Sequence, residues 1–270
     1  MQEKTKTAEM IPVKSVVQVH FPARNTRLAY FNDQFDLHIG DIVYVEGKME
    51  GQRGQVVDIT YNFKIKVSDY KRVIGKADTA VDGSLYMLDS HFVAFSPDVI
   101  PYEKVITWYR APESGEEEYV VGNDETRFRL SDLSGLVIGE QIEMRGRDYY
   151  LNHRVRYICL EGNRGRAIVL GTEAYVVEFI YEDGWIRNLV CDCFCSYTCK
   201  HEFAAVLQLQ KTLALLKERY PERMNQDFAA IEKADLFSFA VDSRRRGVIT
   251  LGEACAERKP VSCADSGDAV

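Results

Sequence analysis

The segment CDCFCSYTCKH, at residues 191–201, constrains this chain more than any other feature, because it holds four thiols and an imidazole in eleven positions. Structural sites for Zn²⁺ use four such ligands in a closed tetrahedron. The pattern offers a CxC pair and a CxH pair, and one tight turn can present each pair. We therefore predict a structural zinc site with Cys191, Cys193, Cys199 and His201 as ligands. A complete Cys₃His set leaves no position open for substrate, so a catalytic metal is not expected.

A fifth candidate ligand leaves a second register open. Cys193 and Cys195 also form a CxC pair, which gives the set Cys193, Cys195, Cys199 and His201 with a three-residue spacer. We favour the register that begins at Cys191, because its longer loop closes with less strain. Both registers remain open at this point.

The cysteine content favours metal binding over disulfides. The chain has seven cysteines, and an odd number disfavours a fully paired framework. The N-terminal residues MQEKTKT are polar, and no segment approaches the apolar length needed to span a bilayer. We therefore expect a cytoplasmic protein with no membrane partner. In a reducing compartment clustered thiols bind metals more often than they form bridges.

The metal-ligand pattern carries a family resemblance. CDCFCSYTCKH followed by EFAAVLQL resembles the SWIM zinc finger, in which CxC, a variable spacer and CxH lead into a helix. Upstream, GRDYYLNHRV at 146–155 and AIVLGTEAYVVEF at 167–179 resemble the strands that precede the ligands in SWIM proteins. The resemblance covers about residues 145 to 220. It implies a bound zinc and a role in DNA binding or protein interaction, and it does not imply an enzyme.

The residues around the ligands predict a sheet followed by a helix. Alternating apolar residues predict strands at 167–170 and 174–180, and the turn EDG at 182–184 leads to a third strand at 185–190. After His201, apolar residues recur at helical spacing until Pro221 ends the run. We expect that helix to dock its apolar face on the sheet.

The first hundred residues have a β pattern throughout. Short runs of β-branched and aromatic residues, separated by Gly, Asn and Asp, predict strands at 16–21, 28–31, 42–45, 55–59, 63–67 and 85–88. This spacing predicts a small barrel or sandwich. The stretch GDIVYVEGKMEGQRGQVVDI at 40–59 resembles the KOW-type strand, glycine loop and strand, and also the N-terminal part of PSP1-type proteins. Its glycines permit a tight hairpin bend.

These patterns together predict an α+β chain with two domains. We assign residues 1–110 to a β-barrel-like domain and 111–126, with its GEEE run, to an acidic loop or linker. Residues 127–252 are assigned to a SWIM-type domain with a sheet, a zinc loop and helices. The tail 253–270, rich in Ala, Ser, Asp and Glu, is predicted to be disordered.

Charge limits the class of partner. The net charge of −7 disfavours general coating of duplex DNA, which depends on clustered Lys and Arg. Locally, however, cations alternate with aromatic residues, a pattern that suits phosphate contact and base stacking. The candidates for binding DNA or RNA are Lys64, Lys66, Arg154, Arg156, Arg164 and Arg166. A competing interpretation is that these charges mark solvated strand faces, and the alternative function is a protein-interaction scaffold stabilised by zinc.

No catalytic motif is present in the sequence. It lacks GxSxG, a Walker loop and HExxH, and the histidines outside the metal pattern are scattered. We therefore expect no enzyme. The one arrangement that would favour catalysis is convergence of His38 with Asp33, Asp36 and Asp41 in one pocket.

Overall fold

Backbone pairing divides the strands between two sheets. A computed structural model describes residues 14–111, 127–223, 226–241 and 249–252. Both sheets are mainly antiparallel, and four α-helices accompany them, so the predicted α+β class is confirmed. Residues 112–126 of the predicted linker and all of the predicted tail, 253–270, lie outside the described residues.

The smaller sheet has five strands in the order β2-β1-β4-β3-β5. They are β1 (Ser15–Phe21), β2 (Thr26–Asn32), β3 (Ile42–Val45), β4 (Gly54–Thr60) and β5 (Val73–Lys76). Every second residue of β1 is buried, as expected for a strand with one face on a core. The predicted hairpin is confirmed, because β3 pairs with β4 and the connection contains Gly47 and Gly51 at φ +84° and +73°. Those backbone angles favour glycine.

Two sequence predictions for this region are wrong. The sheet is not closed into a barrel, although one backbone bridge joins Phe31 to Arg72 between its two edges. The strand predicted at 63–67 is absent, and β5 lies several residues later. Instead of pairing in the sheet, Phe63 packs edge-on against Phe31 with ring centroids 6.2 Å apart. An aromatic residue therefore contributes to packing here without forming a strand.

The larger sheet has nine strands in the order β14-β6-β7-β13-β9-β10-β11-β12-β8. They are β6 (Gly83–Met87), β7 (Phe92–Phe95), β8 (Arg127–Arg129), β9 (Val155–Glu161), β10 (Arg164–Leu170), β11 (Ala174–Glu182), β12 (Trp185–Cys191), β13 (Phe228–Glu232) and β14 (Ile249–Gly252). The predicted β10, β11 and β12 with their turn are confirmed. Because β7 pairs with β13, the sheet draws strands from both sides of the boundary predicted at residue 110. The division into domains itself stays a prediction.

The helices are α1 (Tyr102–Tyr109), α2 (Glu140–Leu151), α3 (Lys200–Arg219) and the short α4 (Lys233–Leu236), which a π-helical turn, Phe237–Val241, continues. The predicted helix after the metal ligands is α3, and it ends before Pro221 as expected. The resemblance led us to expect a strand at 146–155, but residues 146–151 belong to α2 and β9 starts only at Val155. Residues 140–151 contain no long apolar run that would indicate α2.

Hydrophobic cores lie on both faces of the larger sheet. One core packs α3 against the sheet through Phe203, Val206, Leu209, Val177 and Phe179. The other includes Trp108 of α1 with Tyr157, Ile168 and Phe239. Within the described residues, no helix is long and apolar enough to cross a membrane. The segment with the predicted metal ligands joins the end of β12 to the start of α3.

Substitution of Gly165 tests the packing of β10 beside β11. A Cβ atom at this position would lie 2.0 Å from Cε2 and 2.2 Å from Cζ of Phe179, whose ring is buried. We expect Gly165→Ala to lower the free energy of unfolding by about 3 kcal/mol, because the ring cannot move freely in a filled core. Denaturant unfolding of the full chain measures it.

Gly139→Ala is the matched control. A Cβ atom there would have nothing within 4 Å, and its φ of −73° suits any residue. We expect a loss of at most about 1 kcal/mol, because only the N-cap position of α2 is affected. Equal losses in the two variants would contradict the packing described here.

Candidate metal centre

The end of β12 delivers the first ligand pair. Cys191 is the last residue of β12 and pairs with Val177 of β11. The next residue, Asp192, anchors the chain as it leaves the sheet: its carboxylate accepts a hydrogen bond from the Val176 amide at 2.8 Å and lies 2.5 Å from Arg110 Nη1. This anchor fixes the direction in which the loop leaves the sheet, one residue before Cys193.

The start of α3 delivers the second pair. Cys199 is the N-cap of α3, where its sulfur accepts a hydrogen bond from the Glu202 amide and its own amide donates to the Glu202 carboxylate at 2.8 Å. This reciprocal arrangement is a capping box with a cysteine in the place of Ser or Thr. His201 follows in the first turn. The unpaired amides and positive dipole end of α3 favour negative charge on the thiolates.

The four predicted ligands lie together. Within the described residues, the ligand atoms of Cys191, Cys193, Cys199 and His201 are all within 4.8 Å of one another, and Cys191 Sγ lies 3.7 Å from His201 Nδ1. A regular zinc tetrahedron separates sulfur and nitrogen ligands by about 3.6 Å and two sulfurs by about 3.8 Å. The cluster is therefore compatible with one tetrahedral metal ion.

Aromatic packing holds the imidazole in place. The Tyr175 ring stacks on His201 with centroids 4.3 Å apart and planes 18° apart, and Tyr149 contacts it from another side at 5.4 Å. His201 Nε2 is buried, has no hydrogen-bond partner among the described residues, and lies 3.2 Å from where a Cβ atom of Gly171 would be. The ring is thus oriented by stacking and close packing, with Nδ1 directed at the thiols.

The metal-free cluster already favours one thiolate. The pKa of Cys199 falls to about 4, because its sulfur accepts a hydrogen bond from Cys191 and further ones from His201 and the Glu202 amide. The same thiol–thiol hydrogen bond, together with burial, raises the pKa of Cys191. Burial raises the pKa of Cys193 to about 12. A divalent ion would have to displace protons from these two thiols, so binding should weaken in acid.

Cys195 is not part of the cluster. Its side chain is exposed, and the structure groups the other three thiols of this segment with His201. The loop that contains it also exposes two large aromatic residues, since Phe194 is fully exposed and Tyr197 is 84% exposed. None of the described cysteines, which exclude Cys255 and Cys263, forms a disulfide.

Two of the six candidate cations are held by carboxylates. Arg156 lies 3.3 Å from Glu232 and 3.4 Å from Asp235. Arg166 has a side chain only 13% exposed and lies 3.3 Å from a carboxylate oxygen of both Glu161 and Glu178. These arginines serve intramolecular ion pairs and lie among acidic groups.

The other four candidate cations are exposed but do not form one cluster. Arg154 accepts a backbone hydrogen bond from Leu170, at one end of β10, whereas Arg164 begins that strand. Six residues of strand separate the two ends by about 20 Å. Lys64 and Lys66 lie in the connection between β4 and β5 of the smaller sheet.

The carboxylates near His38 converge in part. His38 Nδ1 lies 3.9 Å from a carboxylate oxygen of both Asp36 and Asp41. Asp41 is also bound by Lys76 at 2.6 Å and accepts a hydrogen bond from the His38 amide at 2.8 Å. Asp33 instead pairs with Arg72. Because Asp41 is already bound by a lysine and an amide, the arrangement stabilises the loop, and the absence of catalysis stays a prediction.

Sequence reasoning missed the aromatic support of the imidazole. Tyr149 and Tyr175 lie 52 and 26 positions before His201, and only the pairing of β11 with β12 and the packing of α2 on α3 bring them to the ring. In the sequence, both tyrosines lie in segments that resemble the strands of SWIM proteins. That resemblance did not indicate contact with a ligand.

Comparisons with known proteins do not assign the chain to a family. No protein-family model, no curated protein and no solved structure matches it.

Substitution of single cysteines tests the ligand register. We expect Cys191→Ser to lose most of its bound metal, because a thiolate ligand is removed from a closed site. We expect Cys195→Ser to keep one metal per chain, because this side chain lies outside the cluster. Elemental analysis after dialysis measures both. Full retention in the first variant with loss in the second would mean that Cys195 replaces Cys191.

Proposed function

We propose that this chain is a SWIM-type zinc protein whose metal stabilises a recognition module for nucleic acid. The observation that carries the metal assignment is the cluster of three thiols and an imidazole at the junction of β12 and α3. Thiolate and imidazole ligands in a tetrahedron favour Zn²⁺ over metals that prefer oxygen ligands. A reducing compartment, such as the cytoplasm, would keep the thiols available.

The proposed role of zinc is structural. Cys191 ends β12, Cys193 follows it in the loop, and Cys199 and His201 lie at the start of α3, so the ion would tie α3 to the sheet on which it packs. Three thiolates and one divalent ion leave one negative charge, which the N-terminal end of α3 partly offsets. The ion adds no open coordination position when all four ligands bind.

Removal of zinc should loosen this part of the protein. We expect the purified chain to contain one zinc, and chelation to lower its melting temperature, because the free energy of metal binding contributes to folding. Differential scanning calorimetry with metal analysis of the same samples measures this. An unchanged melting curve after confirmed loss of the metal would contradict a structural role.

A nucleic-acid partner is supported by cations that the fold leaves available. Arg154 and Arg164 are exposed, and within the described chain neither forms an ion pair with a carboxylate. Arginines of this kind contact phosphates and release counterions. The acidity of the whole chain argues for a limited contact surface and moderate affinity.

A protein-interaction scaffold is the second candidate. It is favoured by the exposed Phe194 and Tyr197, which the loop between the two ligand pairs presents to solvent. Aromatic residues are enriched at protein interfaces, and a metal-fixed loop would present them with little conformational entropy to lose.

Direct binding experiments separate the two candidates. We expect moderate binding of labelled oligonucleotides, with affinity falling as salt rises. Arg154→Gln combined with Arg164→Gln should weaken binding without releasing zinc, because neither residue is a ligand. Arg156 and Arg166 stay unchanged, since their removal would strand buried or half-buried carboxylates. Fluorescence anisotropy measures binding. If the parent protein does not bind even at low salt, nucleic-acid recognition is rejected in favour of the protein-interaction scaffold.

A further inference from the structure

One face of the larger sheet carries a row of arginines that sequence reasoning did not connect. Strand pairing places Arg164 opposite Ile180, Ile180 opposite Arg187, and Arg187 opposite Arg127. Residues directly opposite one another on paired strands project from the same face of a sheet. Three strand intervals of about 4.8 Å make this row about 14 Å long.

The next row on the same face contains an aromatic residue. Trp185 is opposite Arg129, and the neighbouring residues Ile186 and Phe128 point the other way, into the core beneath α3. The guanidinium groups of Arg127 and Arg129 lie 4.4 and 4.7 Å from the centroid of the Trp185 ring. These cation–π contacts hold two guanidinium groups beside one half-buried aromatic ring.

The charge on this face is unevenly balanced. Within the described residues, no ion pair joins Arg127, Arg129 or Arg164 to a carboxylate. Arg187 pairs with Glu182, and Arg166 is neutralised farther along β10. Glu161 lies opposite Arg164 but pairs with Arg166, and Glu182 lies opposite Trp185. Arg127, Arg129, Arg164 and Arg187 outnumber these two carboxylates, so this end of the sheet is locally cationic, although the chain carries a net charge of −7.

We propose that the face bearing Arg164, Arg187, Arg127, Arg129 and Trp185, here called the arginine face, binds single-stranded nucleic acid. This inference rests on the proposed nucleic-acid function and assigns its surface and its ligand class. Planar guanidinium groups bind phosphate through paired N–H donors and stack on bases. The available arginines therefore supply charge complementarity to a polyanion.

The shape of the arginine face favours a single strand over a duplex. A sheet face with stacked planar groups accepts unpaired bases laid across it, as in other sheet platforms for single strands. Reading a duplex groove requires an element that protrudes into the groove. The arginine face is formed by residues within strands β8, β10 and β12.

The test compares two double variants with equal loss of charge. Arg127→Gln with Arg129→Gln alters the arginine face, whereas Lys211→Gln with Lys217→Gln alters exposed lysines of α3, which packs on the opposite face of the sheet. At about 50 mM salt we expect the first variant to bind a labelled strand of about 16 nucleotides at least tenfold more weakly, and the second to bind within twofold of the parent. Loss of two phosphate contacts should also reduce the salt slope by about 1.4.

Tryptophan fluorescence gives a readout at the surface itself. The chain has two tryptophans, and Trp108 is fully buried, so a ligand on the arginine face should change the emission of Trp185 alone. We expect this change in the parent and in the Lys211→Gln, Lys217→Gln variant. It should disappear in Trp185→Phe. Melting temperature and zinc content, measured for every variant, show that the fold is intact.

The outcomes separate this inference from the proposed function. Binding by the Arg127→Gln, Arg129→Gln variant within twofold of the parent would overturn the arginine face and leave nucleic-acid binding intact. Tighter binding of a matched duplex would overturn the assignment to single strands, and equal competition by polyglutamate would show a general polyanion surface. No binding by the parent would overturn the proposed function itself. Should the double variant fail to fold, Arg164→Gln gives the same comparison, since this exposed arginine has no carboxylate partner in the described chain.

Discussion

The packing of α3 on the larger sheet determines the geometry of the candidate metal site, because one helix supplies both a candidate ligand pair and a large part of a hydrophobic core. Cys199 and His201 lie at the start of α3, and Phe203 and Val206 in its next turn are buried against the sheet. The direction of the helix therefore fixes where its ligands point. Cys191 reaches the same place only because β12 pairs with β11 along its length.

This dependence runs in both directions. The sheet and helix set the positions of the ligands, and a bound ion would close the turn between them. Gly146 of α2 shows how little space remains, since a Cβ atom there would lie 2.8 Å from Cδ1 of Phe203. A close approach of α2 to α3 also brings Tyr149 to the imidazole. Core packing, ligand geometry and the orientation of His201 are thus parts of one constraint.

Electrostatics divides the arginines of this acidic chain into two kinds. Arg156 and Arg166 lie among carboxylates, where ion pairing offsets the cost of partial burial. Arg127, Arg129 and Arg164 are exposed, and among the described residues cation–π contacts with Trp185 restrain the side chains of the first two. A count of cations in the sequence treats both kinds alike, so it does not predict which of them are available to a ligand.

The sequence by itself determined the features that depend on a few neighbouring residues. Cysteine spacing predicted that thiols of this segment cluster with His201 and left two registers open, helical periodicity predicted α3 as far as Pro221, and glycines predicted the hairpin of β3 and β4. The tertiary structure decided what depends on contacts between distant residues. It left Cys195 outside the cluster, turned 146–151 into a helix, placed β6 and β7 in the larger sheet, and aligned Arg164 with Arg127. The physical reason is strand register and helix packing, which join residues far apart in the chain and therefore leave no short pattern in the sequence.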